Sequence, residues 1–241
     1  MSTIFINADD FGLSPGVNAG IVGCYQNGIV NSASLLTNTH YFDDAVVLIK
    51  KHKLPNIGLH FNLTEFLPLL QTHKTIVNVE GFFYRNISDR KKINVNEVAQ
   101  ELEAQYQKVI NAGITITHFD SHHHVHMSEL LRVAFINIAT KYKIPLRFCD
   151  NRFRNPVKRV LHFWLYRKQP FYTKSFSSLF YGKQATVENI KLLTKNVAAS
   201  LEIMCHPGYE DSANGEYNTE RADEMKVLMH VDLLSLLKKE S

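Results

Sequence analysis

Cysteine is scarce in this chain of 241 residues: there are three, Cys24, Cys149 and Cys205, far apart and without a CxxC pair. An odd, dispersed set argues against a disulfide framework or a cysteine-built zinc knuckle, and points to a reducing, cytoplasmic compartment. Long apolar runs are also missing, so no membrane span is expected. Met1-Ser2-Thr3-Ile4-Phe5 lacks the basic stretch that opens a signal peptide. Charge of one sign is lacking too: 27 basic residues stand against 23 acidic ones, a net +4 that calls for neither nucleic acid nor membrane. No internal repeat and no low-complexity linker divides the sequence. A single domain over residues 1–241 is therefore expected, and 45% apolar content suffices for one sizeable core.

What is present is alternation. Short β-branched runs at Thr3–Ala8, Ala33–Leu36, Ile57–Leu63, Ile114–Phe119, Leu146–Cys149 and Glu202–Cys205 read as strands. Between them, helical patterns cover Gly16–Gln26, Phe42–His52, Val95–Asn111, Glu129–Tyr142 and Val187–Ser200, with a last helix over Glu220–Lys239. Asn94 is placed to cap the third helix, Glu97 to complete a capping box, and Gly113 to end it. Strand-helix alternation of this kind predicts parallel βαβ units and the α/β class.

Polar residues follow the strands. The first runs into Asp9-Asp10, the second into Thr37-Asn38, and the third carries His60 and Asn62. The fourth leads to Asp120 and His122, the fifth contains Arg147, and the sixth delivers His206-Pro207-Gly208. In parallel α/β architectures the carboxyl ends of strands converge on one face, where sites are built.

Each constellation has a plain alternative. Asp9-Asp10 reads either as an ordinary turn or as a split pair, one carboxylate ligating a metal and the other free as a base. Both reach one site only if the chain turns between them. His60 is a buried core histidine or a ligand. Four of the twelve histidines fall in Asp120-Ser121-His122-His123-His124-Val125-His126, with His118 just ahead. If extended, His122, His124 and His126 share a face; if helical, His122 and His126 form an i, i+4 pair; the bland reading is a solvated loop. Asp120 is placed to orient a ligand imidazole from behind. His206 is a turn residue or a metal-free proton donor. Arg152–Lys183 is rich in cations and aromatics, including Phe180 and Tyr181, which suits stacking on bases or sugar faces; Leu161, Trp164 and Leu165 have the spacing of core.

Five segments, taken together, resemble the YdjC-like carbohydrate deacetylases, the family of chitooligosaccharide deacetylase. They are Asn7-Ala8-Asp9-Asp10-Phe11-Gly12, Ile57-Gly58-Leu59-His60-Phe61, Thr117 to Met127, Phe176 to Gly182, and Cys205-His206-Pro207-Gly208. The resemblance implies a distorted (β/α) TIM-like barrel carrying an insertion at about 150–185. It implies one divalent ion (Mg, Zn, Mn, Co or Ni) held by Asp10, His60 and His122; whether His124 or His126 adds to or replaces His122 is left open by the sequence. Asp9 takes the position of the base and His206 that of the family's His-Pro motif. Asp120, Arg147, His124, His126, Phe180 and Tyr181 are expected behind the ligands or against substrate. Family members continue into a closing strand, whereas this chain stops at Lys238-Lys239-Glu240-Ser241, so incomplete closure at the C-terminus is expected.

The implied activity is hydrolytic removal of N-acetyl groups from chitooligosaccharides or related acetylated amino sugars. The partner expected is thus a small oligosaccharide, not nucleic acid or membrane, with a homodimer as an open option. A metal-dependent phosphoesterase and, further down, a nucleic-acid binder using residues 152–183 are the competing readings.

Overall fold

The computed structural model describes residues 3–147, 171–215 and 217–234. Six parallel strands form one sheet: β1 (Thr3–Phe11), β2 (Ser32–Leu35), β3 (Ile57–Phe61), β4 (Phe119–Ser121), β5 (Ser175–Ser177) and β6 (Ser200–Cys205), in the order β4-β3-β2-β1-β6-β5. The sheet is curled and flanked by helices α1 (Pro15–Asn27), α2 (Phe42–His52), α3 (Val95–Asn111), α4 (Arg132–Tyr142), α5 (Val187–Thr194) and α6 (Thr219–Leu228). Single parallel bridges join Leu146 to Phe119 on one side and to Phe171 on the other.

The two-residue period of a strand divides the sheet into two faces. The outer face carries Ile6, Ala8, Ala33, Leu35, Leu59, Phe61, Phe119 and Ile203, all buried with the apolar stripes of the helices in one core. Phe61 lies 5.0 Å from Phe119 and 5.6 Å from Phe135 of α4, ring centroid to centroid. Full burial of a side chain of this size contributes about 1.5–3 kcal/mol. The inner face is polar and equally buried: Asn7, Asp9, Ser32, Ser34, His60, Asp120 and Glu202. Parallel register sets the partners, pairing Asn7 with Ser32 and His60 with Asp120. Gly58, on this face, leaves room for the His118 ring; a Cβ there would come within 2.3 Å of His118 Nε2.

Several boundaries differ from the sequence reading. The fourth strand is Phe119–Ser121 rather than Ile114–Phe119, so Asp120 is a ladder residue. The expected strand Leu146–Cys149 is one bridging residue among the described positions, and its last two residues lie outside them. The helix expected to reach Ser200 stops at Thr194; Asn196 takes a left-handed φ of 64° and the chain turns into β6. The last helix ends at Leu228 and passes into a short 3-10 turn, with residues beyond 234 outside the described set.

Asn94 caps α3, its side chain accepting from Asn96 N. Glu97 does not close a box with it. The loop before α3 offers better donors, and Glu97 Oε2 accepts from Lys74 N (3.0 Å) and Thr75 N (2.8 Å). Within the expected insertion at about 150–185, Ser175–Ser177 forms strand β5, which the sequence reading does not include; three residues with polar neighbours give little periodic signal. Leu161, Trp164 and Leu165 fall outside the described residues.

Candidate metal and catalytic site

The chain turns inside β1. From Ala8 to Phe11 there are three steps, against two from Ala33 to Leu35 on β2, so β1 holds one extra residue, a β-bulge. Asp10 takes up the slack with a left-handed φ of 69°, a conformation aspartate tolerates better than bulkier residues. Both carboxylates thereby line one cavity of about 1050 Å³ at the carboxyl ends of the strands. This is the turn that the split reading of the pair requires.

Asp10 Oδ1 lies 2.9 Å from His122 Nδ1 and 3.4 Å from His60 Nε2. It is buried and has no hydrogen-bond partner of good geometry, an orphaned acceptor facing two imidazoles. Behind it, Arg221 Nη2 donates to Oδ2 at 2.6 Å. Burial pushes the Asp10 carboxyl up, but His122 and Arg221 pull it well below the usual carboxylate range. Burial likewise depresses His60, while Asp120 and Asp9 lift it to about 10. His60 Nδ1 donates to Asp120 Oδ1 at 2.8 Å, which presents Nε2 toward Asp10.

These donors could hold a divalent cation. Their candidate ligand atoms all lie within 4.8 Å of one another. Among the described residues, Asp9, Asp10, Asp120 and Glu202 share two guanidinium groups, Arg147 and Arg221, with the His60 imidazole between Asp10 and Asp120. One oxygen and two nitrogens suit zinc, cobalt, nickel or manganese, and three protein ligands leave positions open.

Asp9, also in the lining, is held by a different set of partners. Arg147 Nη1 donates to its Oδ2 (2.8 Å) and Nη2 to its Oδ1 (2.6 Å), and Asn7 Nδ2 adds a bond to Oδ1 (2.7 Å). Burial raises its pKa, but the Arg147 and His60 charges more than compensate, so the shift is downward and the group stays ionised. Arg147 is itself fully buried and also meets Asp120 Oδ2 (2.7 Å) and Glu202 Oε1 (2.8 Å). Burial drives Glu202 up to about 7 against the pull of Arg147.

The histidine run is neither extended nor a regular helix. It forms a 3-10 turn in which His123 and His124 both adopt φ of 52°. His122 alone faces Asp10. His123 Nδ1 meets Thr64 Oγ1 at 2.7 Å, and His124 lines the cavity and packs on Phe176. His126 is buried away from the cavity lining, its Nδ1 2.6 Å from Ser121 Oγ, and does not share His122's place beside Asp10. The two left-handed residues break the i, i+4 geometry.

Across the cavity, His206 sits edge-on to Tyr181 and Tyr217, whose rings stack at 4.5 Å. Its Nδ1 lies 3.9 Å from Glu224 Oε1, which accepts from Tyr217 OH at 2.5 Å. Tyr181 is exposed on the cavity wall; Phe180, also expected near substrate, is fully buried in the core and absent from the lining.

The sequence reading missed Glu65, Arg85, Arg221 and Glu224. The last two had a signal. Arg221, Glu224, Met225 and Leu228 recur at i, i+3, i+4 and i+7, the buried stripe of α6.

A parallel α/β sheet with carboxylates and imidazoles gathered at its strand ends over an open cleft places the protein among α/β folds whose site residues could hold a divalent cation. The chain belongs to the YdjC-like protein family, whose profile matches residues 3–239. It is 34% identical to a carbohydrate deacetylase of Brevibacillus brevis over 95% of this chain and 92% of that one. A second carbohydrate deacetylase, from Thermoanaerobacter pseudethanolicus, is 33% identical over 99% and 95%. In structure it superposes on a cellobiose-phosphate cleavage protein of Enterococcus faecalis with a TM-score of 0.87, at 27% identity over 99% of this chain and 94% of that one. The fold alone is shared with a lactam utilization protein of Thermus thermophilus, TM-score 0.57 at 11% identity over 98% and 97%.

Proposed function

We propose that this protein is a metal-dependent carbohydrate deacetylase that removes N-acetyl groups from N-acetylglucosamine oligomers or related acetylated amino sugars. The observation that carries this is the orphaned Asp10 Oδ1 between His60 and His122, one strand residue from an ionised Asp9. The names of the curated relatives support the same chemistry. We also infer that the sheet belongs to a distorted (β/α) barrel, supported by the Leu146 bridges that continue it beyond β4 toward Phe171.

Asp10, His60 and His122 would hold the ion, which when bound activates water and polarises the acetyl carbonyl. Amide hydrolysis also needs a proton acceptor and a proton donor. Asp9 accepts the proton of the attacking water; among the described residues its Oδ2 takes one bond, from Arg147, which leaves a lone pair for that water. Pairing with Arg147 keeps it ionised and fixes its aim. His206 donates a proton to the departing sugar nitrogen as the C–N bond breaks, releasing acetate and a free amine. Tyr181, Tyr217 and Phe66 give the cavity wall apolar faces suited to sugar rings. Its volume is at the upper end of the roughly 300–1,000 Å³ of small-molecule sites.

The deciding assay is release of acetate from chitobiose and chitotriose, before and after chelation and readdition of Zn²⁺, Mn²⁺ or Mg²⁺. Activity should vanish on chelation and return with metal. His60→Ala and His122→Ala should come off a chelating-resin step with little metal. Full occupancy in both, by elemental analysis, would remove them from the ligand set.

A further inference from the structure

Each gathered donor leans on a group behind it. Asp10 turns Oδ2 to Arg221 (2.6 Å), His60 turns Nδ1 to Asp120 (2.8 Å), and His122 turns Nε2 to Glu65 Oε2 (3.1 Å). The atoms left over, Oδ1, Nε2 and Nδ1, are the ones that face each other. Of the three supports, Glu65 has no part in the reaction described above. We propose that Glu65 is a positioning residue: it accepts the Nε2–H of His122, fixes the tautomer that presents the Nδ1 lone pair, and so sets how tightly the site holds its cation. This rests on the metal reading given under Proposed function.

Three observations carry it. First, His122 needs such a partner more than His60 does. His60 is a ladder residue paired with Asp120, whereas His122 opens a 3-10 turn whose next two residues are left-handed. An imidazole there is held at χ2 by whatever its ring nitrogens bond, because that torsion is broad and two-fold.

Second, Glu65 is built into place. Asn62, fully buried, accepts from Glu65 N at 3.1 Å and from Thr64 N at 3.0 Å through Oδ1, and donates from Nδ2 to Glu65 O at 3.0 Å. The backbone of Glu65 is thus gripped at both its N–H and its carbonyl, five residues after the ligand His60.

Third, the charge is balanced. Glu65, His122 and His123 lie close enough to hold an ion of their own. Arg85, however, pairs with Glu65 and brings the positive charge to that spot. The cluster therefore reads as support for His122. Outer partners of this kind typically change metal affinity by about 10–100-fold.

The test uses the full-length protein and Zn²⁺ alone, titrated in competition with a chromophoric chelator. Glu65→Ala should weaken Zn²⁺ binding by about 10–100-fold. Glu65→Gln, whose amide oxygen still accepts the Nε2–H, should recover part of that loss. Ring-nitrogen NMR of the Zn²⁺-loaded protein should find the His122 proton on Nε2 in the wild type and a mixed population in Glu65→Ala. Melting the metal-free variants separates these effects from misfolding.

A wild type that takes up no Zn²⁺ would overturn the metal reading and this inference with it. A wild type that binds, beside a Glu65→Ala protein of unchanged affinity and tautomer, overturns the positioning role alone. Equal losses in both variants with the tautomer intact overturn it as well.

Discussion

Replacing Asp9 by asparagine removes one charge and almost no volume, so its consequences can be separated. The carboxylate now takes two N–H groups from Arg147 and one from Asn7. An amide offers one acceptor oxygen in place of two, so at least one of those donors must turn elsewhere or face an NH₂. Leaving a buried donor unmatched costs about 1–3 kcal/mol. For a chain of this size each kcal/mol lowers Tm by roughly 2–4 °C, so a fall of several degrees is expected. Arg147 keeps Asp120 and Glu202, and the fold survives. The rate should suffer far more. Loss of a general base costs about 10²–10⁴-fold, or roughly 3–5 kcal/mol of barrier. Asp10, His60 and His122 are untouched, so metal content should stay near that of the wild type. The assay follows acetate release from chitobiose at saturating metal, with elemental analysis and a thermal melt on the same preparations. An Asp9→Asn protein that is folded, metal-replete and still within a factor of three of the wild-type rate would refute the assignment of Asp9 as base.

Two further outcomes follow from the polar interior. Glu202 has its pKa raised to about 7 from 4.5, so the folded state holds the proton longer than the unfolded chain. That contribution to stability is complete below pH 4.5 and is lost as pH rises through 7; a shift of this size corresponds to about 3 kcal/mol. Glu202→Gln should therefore gain Tm relative to the wild type between pH 4.5 and 7.5, and a constant difference across that range would contradict the burial argument. Gly58→Ala would set a methyl 2.3 Å from His118 Nε2, a ring that is fully buried and stacked on Tyr172 at 4.0 Å. Overpacking of this kind costs about 1–3 kcal/mol, and a melt indistinguishable from the wild type would show that His118 can move aside.

The positions that meet in the cavity were legible because parallel strands deliver their ends to one face. Asp9, Asp10, His60, His122 and His206 line the cavity, and Arg147 lies buried behind Asp9; each sits in or just after an apolar run, and topology does the rest. What escaped was of two kinds. Glu65 lies in a loop, where no period distinguishes a carboxylate that meets an imidazole from one that meets water; only Asn62, with its bonds to the backbone around it, marks the place. The conformation of the histidine run was also hidden. Extended and helical readings both assume a regular backbone, and two consecutive left-handed residues belong to neither. Glu202 stood in plain view as a lone charge inside Leu201-Glu202-Ile203-Met204-Cys205, a cue to a polar inner face.

The single surplus residue in β1 has a consequence for any attempt to redesign this protein. Removing it would restore regular pairing with β2 and relieve the left-handed torsion at Asp10, a change that favours the fold. Only Asp9 and Asp10 lie between Ala8 and Phe11, so the same change would take away one of the two acids that line the cavity. A repaired strand would thus carry one carboxylate where the cavity now has two, and selection for robustness alone would be expected to erase the irregularity first.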